Sequence, residues 1–274
     1  MRGAARLAAA AGAALLAAGC AFNDSFPAPA RVAAPVQAPP YLSADALAAL
    51  AAATPLPVRP GSPEAAADQR GSDGWRALED SDRWRLAQTH AEVRPHLAVQ
   101  HFDCPLNTRL ADDPPPALVR LLARSLQDAS VASSAAKAAG FRARPIADDP
   151  ARRACIRVDD DLRTSASHPS GHATVGALWG RIMGEAAPDQ AEALIRIGDE
   201  IGVSRAVCAL HYPSDVAAGQ ALGVALFEVV RRTPDYQADL AAARAEVAQA
   251  RTLGQLNPGC AAERAALGQS LDAP

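Results

Sequence analysis

Three short stretches of the chain contain residue types that bind and transfer charged groups. In the first, six residues separate Lys137, the only lysine of the sequence, from the pair Arg144–Pro145. The second reads HPSGH over residues 168–172, and the third reads SRAVCALHYPSD over residues 204–215. Together they supply cations, hydroxyl groups, histidines and a carboxylate, which are the groups that anion chemistry needs.

The cations of these stretches predict a site for a phosphate-like anion. The guanidinium fork of Arg144 or Arg205 matches two oxygens of a phosphate, whereas the ammonium of Lys137 is a compact charge with rotatable donors. Ser170 and Gly171 stand where a helix is predicted to begin, and the free N–H groups of a helix start attract anions. Since glycine has no side chain, an anion can approach the backbone there.

Two histidines and an aspartate can supply the reactivity. A neutral imidazole attacks phosphorus, and a protonated one donates a proton to a leaving alkoxide. Asp215 follows His211 by four residues, at the start of a predicted helix. A carboxylate at this place can accept the Nδ1 proton of His211 and leave Nε2 free to attack, as in a catalytic triad.

Taken in order, K-x6-R-P, P-S-G-H and S-R-x5-H-x3-D resemble the three-part signature of the type 2 phosphatidic acid phosphatase superfamily. The resemblance extends from about Tyr41 to Arg251 and is greatest to its exported members, the class A bacterial non-specific acid phosphatases. It implies the helical bundle shared by phosphatidic acid phosphatases and haloperoxidases. It also implies broad hydrolysis of small phosphomonoesters with no metal ion or other cofactor.

The resemblance also assigns roles to individual residues. His211 becomes the nucleophile that forms a phosphohistidine, Asp215 orients it, and His172 protonates the leaving group before activating the water. The phosphoryl oxygens are bound by Lys137, Arg144, Ser170, Gly171 and Arg205. Inorganic phosphate and vanadate are expected to inhibit, because both mimic the phosphoryl group.

The chain departs from the class A pattern at His168, where tyrosine is common, and at Ala173, where threonine is common. His168 is either a surface substitution or a residue that alters substrate contact or the pH optimum. A metal site built from the histidines of the second and third stretches with Asp215 is disfavoured. Pro169 and Gly171 disrupt the regular helix that an i,i+4 ligand pair needs.

The beginning of the chain is typical of an export signal. Arg2 and Arg6 precede a stretch, Leu7–Ala18, that is apolar but too short to span a bilayer. Small residues before Cys20 resemble a lipobox, which predicts lipidation of that cysteine; ordinary cleavage near Ala21 is the alternative. The protein is therefore expected to be periplasmic or anchored in the outer membrane, with no membrane contact other than a lipid anchor.

Composition and charge limit the fold and the partners. The chain is alanine-rich with 4% aromatic residues, which favours an all-α protein, and a net charge of −3 argues against nucleic-acid binding. We predict an export signal over residues 1–20, a Pro/Ala-rich linker over 21–40, one helical domain over 41–252 and a tail over 253–274. A homo-oligomer is left open.

Helix signals divide the predicted domain. Helices are expected over Leu42–Ala53 with Ser43 as N-cap, from Ser62–Pro63, over residues 75–100, and around the leucines of 118–126. Residues 145–169 are expected to form a loop. Further helices are expected from Ser170, from near Pro188, from near Pro213 and over about 235–251.

The remaining four cysteines, in an exported chain, predict disulfides. Three pairings are open for Cys104, Cys155, Cys208 and Cys260. Cys208 stands three residues before His211, but a buried or disulfide-bonded cysteine is favoured there over a thiol nucleophile.

Three other functions compete with an acid phosphatase. The same anion pocket serves vanadium-dependent haloperoxidases, although those resemble much longer proteins. A lipid or pyrophosphate phosphatase at the membrane surface is the second, and a phosphate-binding lipoprotein without catalysis is the third.

Overall fold

Serine and proline set where the helices begin in the computed structural model, which describes residues 39–149 and 151–269. Within these two ranges the regular structure is helical and no strand is present. The side chains of Ser43, Ser62 and Ser170 each accept a hydrogen bond from an N–H of the helix that follows, as their sequence positions predict. The prediction of an all-α fold is confirmed.

The α-helices are α1 (Ala44–Ala52), α2 (Pro63–Gly74), α3 (Asp82–Thr89), α4 (Pro95–Ala98), α5 (Asp103–Leu106), α6 (Pro116–Ala138), α7 (Pro145–Asp148), α8 (Asp160–Thr164), α9 (Gly171–Ala186), α10 (Ala191–Val207), α11 (Pro213–Val230), α12 (Pro234–Thr252) and α13 (Cys260–Leu267). Single 3-10 turns cover Trp75–Leu78, Val99–Phe102 and Pro188–Gln190. The long helices expected from the leucines of 118–126 and from Ser170, Pro188 and Pro213 are therefore present.

The continuous helix predicted over residues 75–100 is wrong. The chain breaks at Asp80, whose φ of 63° lies in the left-handed region. It breaks again at Arg94, which is extended because the next residue is Pro95. Between the breaks only α3 forms a regular helix.

Two segments for which no helix was predicted contain short helices. The predicted loop over 145–169 includes α7 and α8. The tail after residue 252 includes α13, which packs against α3. A disulfide between Cys104 and Cys260 fixes α13, and a second joins Cys155 to Cys208. This pairing could not be read from the spacing of the cysteines.

Helix α9 forms the centre of the core. Leu178, Trp179, Ile182 and Met183 are fully buried between α6, α10, α11 and α12. The indole N–H of Trp179 donates to the hydroxyl of Ser125 on α6, so the one polar atom of this side chain is also satisfied. The N-terminus of α9 is thereby held at a fixed place in the bundle.

Glycines allow α10 and α11 to approach α9 closely. A Cβ on Gly198 of α10 would lie 2.3 Å from the carbonyl oxygen of Gly176, and a Cβ on Gly219 of α11 would lie 2.3 Å from that of Ser170. Both distances are far below any real Cβ contact. Gly202, nearer the end of α10, likewise approaches Ala173, since a Cβ there would lie 2.9 Å from the Ala173 Cβ. The second half of α10 and the start of α11 therefore lie against the start of α9, which brings the second and third sequence motifs together.

Some predictions fall on residues that the structure does not describe. The export signal, the linker up to residue 38 and the lipidation of Cys20 are among them. In the described ranges no helix is both long and apolar enough to cross a membrane.

Gly219→Ala should lower the free energy of unfolding by about 1–3 kcal/mol, because the added methyl meets backbone rather than a flexible side chain. Gly184→Ala is the matched control, since its Cβ would meet Ala191 at 3.4 Å, an ordinary contact. That variant should gain about 0.5–1 kcal/mol from helix propensity. Urea unfolding measures both, and equal effects would contradict the close approach.

Candidate active site

The carboxylate of Asp215, in the first turn of α11, is the point on which the three motifs converge. It is fully buried, and its Oδ1 accepts from Arg142 Nη1 at 2.8 Å and from His168 Nδ1 at 3.2 Å. Its Oδ2 accepts from Ser167 Oγ at 2.5 Å and from the backbone N–H of Tyr212 at 2.9 Å. All four of these donors are directed at one side chain.

These donors keep Asp215 ionised. Burial on its own raises the pKa of this carboxyl, but the hydrogen bond from His168, the charge of Arg142 and the hydrogen bonds from Ser167 and Tyr212 outweigh it. The pKa is therefore lowered below its ordinary value. Arg142 is held in turn by Asp68 of α2 at 2.7 Å.

His211 lies next to this carboxylate, but a serine stands between them. Its Nδ1 is 4.0 Å from Asp215 Oδ2, too far for a hydrogen bond, and 3.4 Å from Ser167 Oγ. Since Ser167 gives its proton to Asp215, its oxygen accepts from His211 Nδ1–H. The direct contact expected between His211 and Asp215 is therefore replaced by a chain through Ser167.

The opposite nitrogen of His211 faces a cation. Arg144 Nη1 lies 3.0 Å from Nε2 and also donates to the Leu210 carbonyl at 2.9 Å. A guanidinium can only donate, so Nε2 carries its lone pair and the proton is on Nδ1. This is the tautomer expected for an attacking imidazole. Burial, followed by the charges of Arg144, Lys137 and Arg205, places the pKa of His211 well below its usual range.

Lys137, in the last turn of α6, binds backbone carbonyls. Its Nζ donates to the carbonyl oxygens of Ala166 at 3.0 Å, Ser167 at 3.2 Å and Pro169 at 2.6 Å. An ammonium has three donors, and all three are used here. Burial, with the charge of Arg144, lowers the pKa of Lys137 to about 8. The residue therefore shapes the segment before Ser170; its predicted contact with phosphoryl oxygens stays a prediction.

Arg205, in the last turn of α10, is a buried cation of the site with N–H donors available to a ligand. It is 3% exposed, and in the part of the chain that the structure describes its Nε and Nη1 have no hydrogen-bond partner. Burial and the nearby charge of Arg144 lower its pKa to about 10. Unpaired buried N–H groups on a cation are costly, and an anion is the group that satisfies them.

The start of α9 offers further donors. Ser170 caps the helix by accepting from Ala173 N–H at 3.3 Å, so its hydroxyl has a structural partner. The N–H groups of Gly171 and His172 belong to the first turn and have no acceptor within the helix. A Cβ on Gly171 would meet only Ser133 Oγ, at 3.6 Å, so packing within the protein does not require glycine here. Close approach of a ligand remains the reason to expect it.

His172, the predicted general acid, has a different partner from His211. Its Nε2 lies 3.2 Å from the carbonyl oxygen of Ala91, to which it donates. Burial, then the charge of Arg205, lowers its pKa to about 3. His172 is therefore neutral next to the cations alone, and an anion bound among them would raise its pKa.

Ser204, the first residue of the third motif, contacts residues next to the site and not the site itself. Its hydroxyl accepts from Arg83 Nη1 at 2.9 Å and lies 2.8 Å from His90 Nδ1. Arg83 also pairs with Glu200 at 2.9 Å. The neighbouring Arg205 is thus held by a buried network at the end of α10. His90, which no motif surrounds in the sequence, belongs to this network.

The fold therefore brings the predicted residues to one place, together with three that the sequence reasoning missed. Ser167, Arg142 and Arg83 contact Asp215 or Ser204 but occupy none of the signature positions. Arg142 is one of the six residues between Lys137 and Arg144, Ser167 directly precedes the second stretch, and Arg83 lies outside all three. Ser167 and Arg142 lie within two residues of Pro169 and Arg144, and that proximity is the one signal that could have identified them. In the described ranges no cluster of three or more histidine, cysteine, aspartate or glutamate side chains could hold a metal ion.

Cys208, three residues before His211, is bonded to Cys155 and buried. This confirms the prediction of a disulfide-bonded cysteine in place of a thiol nucleophile. The bond ties the end of α10 to the loop before α8.

Comparisons with known proteins identify relatives over most of the chain. The family model described as PAP2 superfamily matches residues 118–239. An acid phosphatase of Zymomonas mobilis is 32% identical over 197 residues, covering 72% of this chain and 74% of the relative. A non-specific acid phosphatase of Salmonella typhimurium is 30% identical over 197 residues, covering 70% and 78%. One of Providencia stuartii is 26% identical over 183 residues.

Lys137→Arg should fold but bind inorganic phosphate about tenfold more weakly, a loss of about 1.4 kcal/mol. A planar guanidinium cannot direct donors to three carbonyls around one point, so the segment before Ser170 should shift. Isothermal titration calorimetry measures the affinity. Arg157→Lys, the reverse exchange at an exposed position, is the control. Unchanged affinity in Lys137→Arg would refute the carbonyl-binding role.

Proposed function

The chain belongs to the PAP2 superfamily and is a phosphomonoester hydrolase of the acid phosphatase type, and we propose that it acts through a phosphohistidine on His211 without a metal ion. One observation carries the proposal. His211 presents a lone pair on Nε2 to a cluster of buried cations, in which two N–H groups of Arg205 have no partner among the described residues. A nucleophile and an unsatisfied anion site thus lie together.

In the first step the phosphoryl group of the substrate binds between Arg144, Arg205 and the N-terminus of α9. Its oxygens, which carry full charge, are better acceptors than an imidazole, so the Arg144 N–H turns from His211 Nε2 to the phosphate. The lone pair of Nε2 is released at the moment when the substrate arrives. Substrate binding therefore activates the nucleophile.

In the chemical step His211 Nε2 forms a bond to phosphorus while the ester P–O bond breaks. The leaving oxygen takes a proton from His172, whose pKa rises when the phosphoryl anion lies beside it. The Nδ1 proton of His211 stays on the ring and donates to Ser167, which passes the charge stabilisation to Asp215.

In the second step water attacks phosphorus and the N–P bond breaks. His172, now neutral, accepts the proton of that water, and His211 regains its lone pair. The buried cations stabilise the charge on the phosphoryl oxygens throughout, which is the task a metal ion performs in many phosphoryl transfers.

The electrostatics of the site support activity at acid pH. The pKa of His211 is held well below its usual range, so the nucleophile stays neutral in acid. His172 must be protonated to act as an acid, and its lowered pKa means that this form is lost as pH rises. Both effects move the active range to the acid side.

Broad specificity and a cell-envelope location complete the proposal. The residues assigned to binding all recognise the phosphoryl group, which every monoester shares. Two disulfides favour an oxidising compartment, and Cys20 at the end of an export signal supports a lipid anchor.

Purified protein lacking its first 22 residues should release phosphate from a generic monoester at acid pH with EDTA present. His211→Ala should lose nearly all turnover, because it removes the atom that forms the covalent intermediate. His96→Ala, at a histidine outside the motifs, is the control. Vanadate and phosphate should inhibit the wild type.

Three results would refute parts of this mechanism. Loss of activity in EDTA would contradict metal independence. Full activity of His211→Ala would contradict the nucleophile. A flat rate between about pH 4 and about pH 9 would contradict the division of roles between His211 and His172.

Cys20→Ala in the full chain should move the protein from the membrane fraction to the soluble envelope fraction, because no acyl group can then be attached. Immunoblotting of the two fractions measures this. An unchanged distribution would contradict the lipid anchor and leave ordinary cleavage near Ala21.

A further inference from the structure

His168, where the sequence departs from the class A pattern, is a buried residue of the site and not a surface substitution. It is 3% exposed and lies between two oxygens. Its Nδ1 is 3.2 Å from Asp215 Oδ1, and its Nε2 is 2.8 Å from the carbonyl oxygen of Pro55 in the loop between α1 and α2. Both ring nitrogens are therefore in use.

Both of these oxygens are acceptors. A backbone carbonyl has no proton to give, so Nε2 must donate to Pro55. The carboxylate of Asp215 already accepts from Arg142, Ser167 and Tyr212 and is held ionised, so Nδ1 must donate as well. An imidazole that donates from both nitrogens is the protonated imidazolium.

The charges around His168 come from four elements. Asp215 on α11 faces Nδ1 directly, and Arg142, on the segment after α6, shares the same carboxylate oxygen. Asp68 on α2 balances Arg142. Lys137 on α6 donates to the carbonyls of Ser167 and Pro169, on either side of His168. The loop of Pro55 contributes a carbonyl and no charge at this contact.

We propose that His168 is a positioning residue that works in its protonated form, joining Asp215 to the carbonyl of Pro55 and so holding His211 in its productive arrangement. The proposal rests on the function proposed above. It adds a second histidine, besides His172, to the pH dependence of the reaction.

Loss of the proton breaks one of the two contacts. If Nδ1 keeps the remaining proton, the bond to Pro55 is lost and the loop is released. If Nε2 keeps it, a lone pair on Nδ1 faces the carboxylate of Asp215. In the second case Asp215 loses a donor, and in the first the ring that donates to Asp215 loses its anchor at Pro55. Either loss weakens the fixed end of the chain of hydrogen bonds through Ser167 to His211.

The proton state of His168 can be read without any assay of activity. In protein labelled with ¹⁵N-histidine, the ring signals of His168 are those missing from His168→Asn. Both ring nitrogens should carry protons at acid pH, and one should lose its proton as pH rises. A ring nitrogen without a proton throughout the acid range would overturn the proposal.

Two variants distinguish the effect of the hydrogen bond to Asp215 from the effect of the His168 proton. The amide N–H of asparagine can take the place of Nδ1–H towards Asp215 but does not titrate. His168→Asn should therefore keep kcat at acid pH within about threefold and decline less steeply as pH rises. His168→Leu keeps neither donor and should lose about tenfold in kcat with little change in KM, the scale on which second-layer partners act.

His96→Asn, at a half-buried histidine of α4 outside the site, controls for removal of an imidazole, and thermal unfolding checks that each variant folds. A decline of His168→Asn identical to that of the wild type would refute the inference alone, since the wild type would still be active. A wild type that releases no phosphate would refute the proposed function, whereas the ¹⁵N measurement would still decide the proton state of His168.

Discussion

The buried carboxylate of Asp215 is the interaction on which the arrangement of the site depends. A carboxylate taken out of water is costly unless donors replace the lost hydration, and here four donors from separate parts of the chain do so. Its backbone carbonyl also accepts from Ser170 N–H at 2.9 Å, which fixes the start of α9 against α11. The close approach at Gly219 makes this contact geometrically feasible. One residue therefore sets both the packing of two helices and, through Ser167, the orientation of His211.

Asp215 needs hydrogen-bond donors, whereas the buried cations around it need acceptors or negative charge. Lys137, Arg144 and Arg205 are all largely buried, and their pKa values are lowered, to about 8 for the lysine and about 10 for the arginines. Carbonyl oxygens accept from the first two, whereas Arg205 has donors that no group in residues 39–149 and 151–269 accepts. Any anion that binds there removes an unfavourable term from the folded state, so affinity for phosphate and stability should be linked. The site is therefore preorganised for an anion: burying the cations destabilises the protein without ligand, and a bound anion offsets that destabilisation.

The features of the fold that depend on neighbouring residues in the chain could be predicted from the sequence. The caps at Ser43, Ser62 and Ser170 follow from their own hydroxyls, and the motifs identified most of the residues that the fold brings together. The break at Asp80 was not predictable, because a left-handed aspartate leaves the pattern of apolar residues unchanged. Arg142 and Ser167 were missed for a related reason. Their main contacts are to Asp215, which lies about 50 to 70 positions away in the chain.

Three imidazoles within one site show that hydrogen-bond partners, more than burial, decide the role of a histidine. His211 and His168 are both nearly inaccessible to water, yet one receives a proton donor on Nε2 and the other faces acceptors on both sides. The first is therefore held neutral with a free lone pair, and the second is the one that we propose carries a proton on both nitrogens. His172 donates to a single carbonyl and has Arg205 nearby, so its proton state follows the charge of whatever binds. The three roles proposed for these histidines, a nucleophile, a positioning cation and a general acid, therefore differ because each imidazole has different hydrogen-bond partners.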